Sequence, residues 1–68
     1  MGTEHHHISA GKRSATKCID LYLDHDARRV RIVDTLEPSN QMLISAEDWN
    51  ELIGRIKAGS IGIFSDVD

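Results

Sequence analysis

Hydrophobic and polar residues alternate in two short runs near the middle of the chain. In the first run Ile19, Leu21 and Leu23 share one side of an extended strand, and in the second run Val30 and Ile32 do the same. The letters DHDA between the runs are polar and suit a turn. Alternation is typical of a strand with one buried face, and two such runs around a short polar link predict an antiparallel hairpin.

The best-defined helix follows in the segment SAEDWNELIGRIKAG at residues 45–59. Ser45 is a suitable N-cap because its hydroxyl can accept a hydrogen bond from an unpaired backbone N–H of the first turn. Gly59 readily adopts the left-handed conformation that ends a helix. This segment therefore predicts one amphipathic helix. Its apolar stripe consists of Trp49, Leu52, Ile53 and Ile56.

The remaining segments complete the predicted fold. Pro38 predicts a loop, since proline cannot donate to a β-ladder, and the apolar run at 42–44 can add a third strand. The sequence thus predicts an α+β domain over residues 17–64, with a small antiparallel sheet of two to four strands packed against one C-terminal amphipathic helix. Residues 1–16 lack sustained apolar periodicity and are predicted to form a disordered tail, and residues 65–68 an acidic tail.

Composition narrows the class of protein. The chain has 68 residues and a formal net charge of −3. Residues 1–31 hold six Lys and Arg against four Asp and Glu, a net of +2, whereas residues 32–68 hold two against seven, a net of −5. The single cysteine, Cys18, excludes an intrachain disulfide and favours a reducing, cytoplasmic setting. No apolar run approaches the roughly 20 residues that span a bilayer, so a membrane is not an expected partner.

The helix and the segment after it suggest contact with another protein. Trp49 either covers the sheet with the rest of the stripe or leaves an edge exposed as an interface anchor. Gly54 costs about 1 kcal/mol relative to alanine in a helix interior, so it is either a tolerated surface glycine or a point of close approach by a second subunit. Ile61, Ile63 and Phe64 form either a short edge strand or an apolar latch. These five residues are the candidate partner-binding set.

The basic residues Arg28, Arg29 and Arg31 support an alternative function, direct binding to nucleic acid. Arg29 and Arg31 share the outer face of the second predicted strand, where phosphate contact is possible. However, no aromatic residues are interleaved for base stacking, and no helix-turn-helix or zinc-finger pattern is present. The acidic C-terminal half would also repel phosphates, so nucleic acid is the less favoured partner.

No residue pattern predicts a catalytic site, a cofactor site or a bound metal. The tract at residues 5–7 could offer imidazoles to a metal, but three adjacent histidines do not converge on one rigid site. It is interpreted as a tag-like or incidental tail. His25 has no adjacent nucleophile, and Cys18 lacks the Cys-x-x-Cys motif of reactive thiols. A small enzyme or a metal-binding protein is therefore the least favoured class.

The order of several short motifs resembles a small actinobacterial domain family of unknown function, the one that includes the developmental regulator BldB. The matching stretches are C-I-D-L at 18–21, V-R-I-V-D-T at 30–35, E-P at 37–38, M-L-I-S-A-E-D-W at 42–49 and I-K-A-G at 56–59. The matching positions are Cys18, Asp34, Pro38, Ser45, Trp49, Lys57 and Gly59. The resemblance implies a non-enzymatic regulatory protein that acts by contact with a cognate helix-turn-helix transcription regulator or by self-association as a homodimer.

Overall fold

The computed structural model describes residues 2–9 and 18–64. Within them four strands and one helix follow in chain order: β1 (Thr3–Ile8), β2 (Ile19–Asp24), β3 (Arg29–Asp34), β4 (Gln41–Ser45) and α1 (Ala46–Ala58). The strands form one antiparallel sheet in the order β1-β2-β3-β4, and α1 packs on β3 and β4. The predicted class, a small antiparallel sheet packed against one C-terminal amphipathic helix, is confirmed.

The central hairpin consists of β2 and β3, as the alternation predicts. Leu21 lies opposite Ile32 and Leu23 lies opposite Val30, so the apolar side chains of both strands share one face. In the turn between the strands, the Asp24 carboxylate accepts hydrogen bonds from the backbone N–H groups of Asp26, at 3.1 Å, and Ala27, at 3.0 Å. A side chain that satisfies turn amides in this way stabilises the reversal of the chain.

The N-terminal strand β1 was not expected from the pattern. The prediction of a disordered tail over residues 1–16 is wrong for this strand, which pairs with β2 along its whole length. All six of its side chains are exposed, so no hydrophobic alternation marks it in the sequence. Its order comes from the backbone ladder and from contacts with β2, which depend on context rather than on local propensity. The rest of that segment, and the predicted acidic tail at 65–68, lie outside the described residues.

The helix α1 begins and ends where the sequence predicts. The Ser45 hydroxyl accepts a hydrogen bond of 3.1 Å from the backbone N–H of Asp48, which is the predicted N-cap. Gly59 has a φ of 86°, the left-handed conformation that its lack of a Cβ permits. Arg55 donates from Nε to Glu51 at 2.8 Å, one turn earlier. Both ends are therefore determined by local hydrogen bonding.

The hydrophobic core is thin. Among the described residues only Val30 and Val33 are buried, at 3% and 8% exposure. The helix has no buried residue: the first three members of its stripe are half-buried, and Ile56 is exposed. A short chain buries a small fraction of its surface, and here one helix of 13 residues covers only part of a four-stranded sheet.

Candidate interaction surface

One face of the sheet is apolar, and α1 covers only one end of it. Trp49 lines one space with Leu23 and Val30 at the start of the helix. The register places two further rows of apolar residues on this face, beyond that space. We call this region the apolar band; its residues are Ile8, Ile19, Leu21, Ile32 and Met42. Two of the five are half-buried and three are exposed, so the band is open to solvent.

A groove of about 480 Å³ opens in the apolar band. Ile19 and Met42 lie on its two sides and are 46% and 59% exposed, and Cys18 lies at its rim, half-buried. Large apolar side chains that are contiguous and exposed mark surfaces that bind other molecules. The groove therefore offers apolar surface to another molecule, and its lining also includes the polar residues Asp34, Asn40 and Gln41.

The helix residues of the candidate set have different surroundings. Trp49 is half-buried and lines a space with Leu23 and Val30, so its body packs against the sheet. A Cβ added at Gly54 would meet no atom within 4 Å. No described element approaches Gly54 closely, and the position is open to a neighbouring molecule.

The segment after α1 is exposed and irregular. Ile61, Ile63 and Phe64 belong to no strand, and Ile63 and Phe64 are 94% and 80% exposed. Neither the predicted edge strand nor an apolar latch against the described fold is formed. The candidate set is thus not a single cluster, because Trp49 contacts the sheet while the terminal residues extend into solvent.

The opposite face of the sheet is polar, with Tyr22 at its centre. The His5 ring, from β1, stacks on the Tyr22 ring with the two centroids 4.4 Å apart. From β3, on the other side of Tyr22, the guanidinium carbon of Arg31 lies 4.5 Å from the ring centroid. The favourable cation–π contact and the stacked ring occupy both sides of the tyrosine. No face of Tyr22 is left for a nucleotide base.

The three arginines proposed for nucleic-acid contact are divided between two places. Arg29 and Arg31 share the polar face of β3, as their spacing predicts. Arg28 lies in the turn before β3 with a φ of 57°, and its Nη2 donates to the Glu47 carboxylate at 3.1 Å. This hydrogen bond, more than the charge of Arg28, lowers the pKa of the Glu47 carboxyl. Arg28 is therefore paired with a carboxylate, whereas Arg29, which lines one space with Arg28, and Arg31 form no ion pair with a described residue.

Asp20 connects β1 to β2 on the polar face. Its Oδ1 accepts a hydrogen bond of 2.7 Å from Nδ1 of His7, its register partner, and lies 3.3 Å from Nε2 of His5. The hydrogen bond from His7, followed by that from His5, lowers the pKa of the Asp20 carboxyl. These contacts stabilise the pairing of β1 with β2, although β1 has no buried side chain.

Glu4 makes the equivalent connection on the other face of β1. One of its oxygens is hydrogen-bonded to the His6 ring, and the other accepts a hydrogen bond of 2.9 Å from Nε2 of His25 in the hairpin turn. The bond to His6 is the main cause of the lowered pKa of the Glu4 carboxyl. The histidine tract is thus shared between two faces: His5 and His7 contact one carboxylate, and His6 contacts the other.

Lowering the pH from about 6 to about 3 is expected to weaken the attachment of β1. The folded pKa of Asp20 lies below its ordinary value of 3.8, so its stabilising effect is present above that value and is lost as the pH falls through the folded pKa. The variant Asp20→Asn cannot titrate and should lose less thermal stability over this range. Melting followed by circular dichroism at both pH values measures the difference.

Glu51→Gln is the matched control for this prediction, because Glu51 pairs within α1 and does not touch β1. It should keep the same acid sensitivity as the wild-type chain. If Asp20→Asn lost as much stability as the wild type between the two pH values, the proposed role of Asp20 in holding β1 would be wrong.

Two site features were missed by the sequence prediction. Ile8 and Met42 belong to the exposed apolar band, but one lies in a segment predicted to be disordered and the other in a run too short to assign a face. Met42 and Ile44 are two residues apart and so share a face of a strand, but Leu43 between them is also apolar, so the pattern does not indicate which face is buried. For Ile8, the register with Ile19 is set by pairing between distant segments, and no local pattern reports it.

The described residues were compared with the features of metal sites and membrane-spanning helices, and the chain with known proteins. Within the part of the chain that the structure describes, no group of three or more His, Cys, Asp or Glu side chains is arranged to hold a metal ion. In the same residues, no helix has the length and apolar character needed to cross a bilayer. The chain matches no protein-family model, no curated protein and no solved structure.

Proposed function

We propose that this chain is a small, non-enzymatic regulatory protein that acts through protein–protein contact. It works either as a homodimer or bound to a helix-turn-helix transcription regulator in the cytoplasm. The open apolar band carries this proposal. A four-stranded sheet with one apolar face normally buries that face against a second layer, and here the helix supplies only part of that layer.

The energy available at the band supports association. Burying a large aliphatic side chain completely is worth about 1.5–3 kcal/mol, so covering the exposed half of Ile19 or Met42 is worth about 1 kcal/mol each. In a symmetric dimer each residue contributes twice, because the same patch occurs on both subunits. The band therefore offers several kcal/mol to any partner that covers it, and a small domain with a thin core gains stability from such a partner.

The family resemblance supports the regulatory part of the proposal. The spacing from Ser45 to Trp49 and the helix end at Gly59 are among the positions that match the actinobacterial family. Those proteins resemble accessories of helix-turn-helix regulators. The partner proposed for this chain, beyond a second copy of itself, is a DNA-binding protein of that type, and nucleic acid itself is not the proposed ligand.

The double variant Ile19→Thr/Met42→Gln tests the role of the band. Light scattering and sedimentation over a range of protein concentrations should show that self-association weakens by at least about tenfold, since about 1.4 kcal/mol corresponds to a factor of ten. Threonine keeps the β-branched side chain that suits a strand, so the sheet should survive. Co-purification of the wild type and the double variant from the native host, followed by identification of bound helix-turn-helix regulators, tests the second partner.

Leu36→Gln is the matched control, because Leu36 is equally exposed but lies in the loop before β4, outside the band. It should associate as the wild type does. A wild-type chain that remained monomeric at all concentrations and bound no such regulator would contradict the proposal. Equal association of the wild type and the double variant would contradict the assignment to this face.

A further inference from the structure

β4 is an edge strand, and some of its backbone N–H and C=O groups point away from the sheet. The backbone N–H of Asp34 donates to Asn40 at 3.1 Å, and that of Ala46 donates to Arg28 at 3.0 Å. These two bonds set the phase of the antiparallel ladder, in which alternate residues bond to the neighbouring strand and the others point outward. By this phase the even-numbered residues of β4 bond to β3, and the odd-numbered residues direct their N–H and C=O groups outward.

This edge is open within the described residues. Among the described residues, no strand lies beyond β4, and none donates to or accepts from the outward backbone groups of Gln41 and Leu43. The edge also has apolar side chains on both faces, because Met42 is 59% exposed on the apolar face and Leu43 is 60% exposed on the polar face. An edge strand with unpaired backbone groups and exposed apolar side chains is a template for a further strand.

Two arginines lie on β3, one strand inward from this edge, on the polar face. The register places Arg31 opposite Leu43 and Arg29 opposite Ser45. Both line a space of about 220 Å³ next to Leu43, and no carboxylate of the described residues lies within salt-bridge distance of either. The nearby Asp24 carboxylate already accepts two amides of the hairpin turn. The site therefore suits an extended segment that carries two acidic residues separated by one other residue.

The chain itself contains such a segment at residues 61–68, IGIFSDVD. In an extended conformation Ile63 and Val67 would lie on one side, and Asp66 and Asp68 on the other. The two aspartates are two residues apart, as Arg29 and Arg31 are, so either strand direction can bring both pairs together. In the described part of this segment, Ile63 and Phe64 are 94% and 80% exposed.

We propose that residues 61–68 of a second copy pair with β4 as a fifth strand. Asp66 and Asp68 then lie on the polar face, where the long side chains of Arg29 and Arg31 reach them across β4, Arg31 by turning away from the Tyr22 ring. Ile63 and Val67 lie on the apolar face beside Met42. Reciprocal exchange gives a closed two-fold dimer in which each copy provides one edge and one strand. The inference rests on the proposed self-association and names the segment and the edge that carry it.

A charge exchange tests this pairing in the full-length chain. The variants Arg29→Glu/Arg31→Glu and Asp66→Lys/Asp68→Lys each place like charges together in their own homodimers, and each should self-associate about tenfold more weakly or worse. An equimolar mixture should recover dimers of wild-type affinity. In the mixed dimer, the altered edge receives the altered segment, and the unaltered edge receives the unaltered segment. Sedimentation equilibrium of each variant and of the mixture measures this recovery.

Lys57→Glu is the control for charge reversal, because Lys57 is an exposed residue of α1 with no part in the proposed pairing. It should dimerise as the wild type does. If the glutamate variant does not fold, Arg29→Gln/Arg31→Gln replaces it; its dimer should be several-fold weaker and less sensitive to salt than that of the wild type.

Four results would overturn the inference: a monomeric wild type, unchanged dimers of either charge variant, a mixture that stays monomeric, or a chain with all four substitutions that stays monomeric. The last chain pairs an altered edge with an altered segment, so a second copy of it should bind as in the wild type. If the charge variants dimerised normally while Ile19→Thr/Met42→Gln did not, the strand pairing would fail and the function proposed for the apolar band would stand.

Discussion

Replacing Val30 with alanine is expected to lower the free energy of unfolding by about 2 kcal/mol, from the lost transfer energy of two methyl groups and the cavity that remains. Val30 is the most buried residue of the described fold, at 3% exposure, and lies between Leu23 and Ile44 in the central strand. The total stability expected of a chain of 68 residues is roughly 3–10 kcal/mol, so this loss is large. Urea denaturation followed by circular dichroism measures it.

Leu36→Ala provides the control for this prediction. Leu36 is an aliphatic residue that is 55% exposed in the loop before β4, and its truncation should change the free energy of unfolding by less than about 0.5 kcal/mol. Equal losses for Val30→Ala and Leu36→Ala would show that the region around Val30 is not the core of the isolated chain.

Replacing Trp49 with alanine is expected to lower the free energy of unfolding by about 2–3 kcal/mol, below the 3–5 kcal/mol of a fully buried aromatic residue. Trp49 is half-buried and lines one space with Leu23 and Val30 at the start of α1. Its removal takes a large apolar side chain from the side of the helix that faces the sheet. Chemical denaturation measures the loss, and the proposed self-association is measured in parallel by light scattering.

Trp49→Phe separates the two interpretations of this residue. Phenylalanine keeps an aromatic ring against the sheet, so it should restore most of the stability. If Trp49 were mainly an interface anchor, Trp49→Ala would weaken association and leave the unfolding free energy almost unchanged, which would contradict the packing role. Ile56→Ala, on the exposed end of the same stripe, should cost less than 1 kcal/mol and serves as the control.

The elements built from local patterns were predictable. The alternation in β2 and β3 gave the hairpin, and the Ser45 cap and Gly59 gave the limits of the helix to within a residue. In each case the decisive contacts join residues close in sequence. The packing of Trp49 on the sheet followed from the same stripe, because an amphipathic helix next to a half-apolar sheet has one obvious surface to cover.

Other features depended on which distant segments meet. β1 consists of polar and histidine residues, and it is ordered by pairing with β2 and by the contacts of Asp20 and Glu4. The division of the arginines was also decided in three dimensions. Arg28 adopts a positive φ in the turn and turns to Glu47 at the start of α1, 19 residues away.

The sequence by itself determined the hairpin, the helix with its caps and the apolar stripe, because short-range hydrogen bonds and side-chain periodicity act within a few residues. The tertiary structure alone decided the four-strand order, the open apolar band and the unpaired edge of β4. These depend on how far one helix reaches across a sheet and on which strand lies last in it. No local pattern encodes either quantity, since both arise from the balance of burial and pairing over the whole chain.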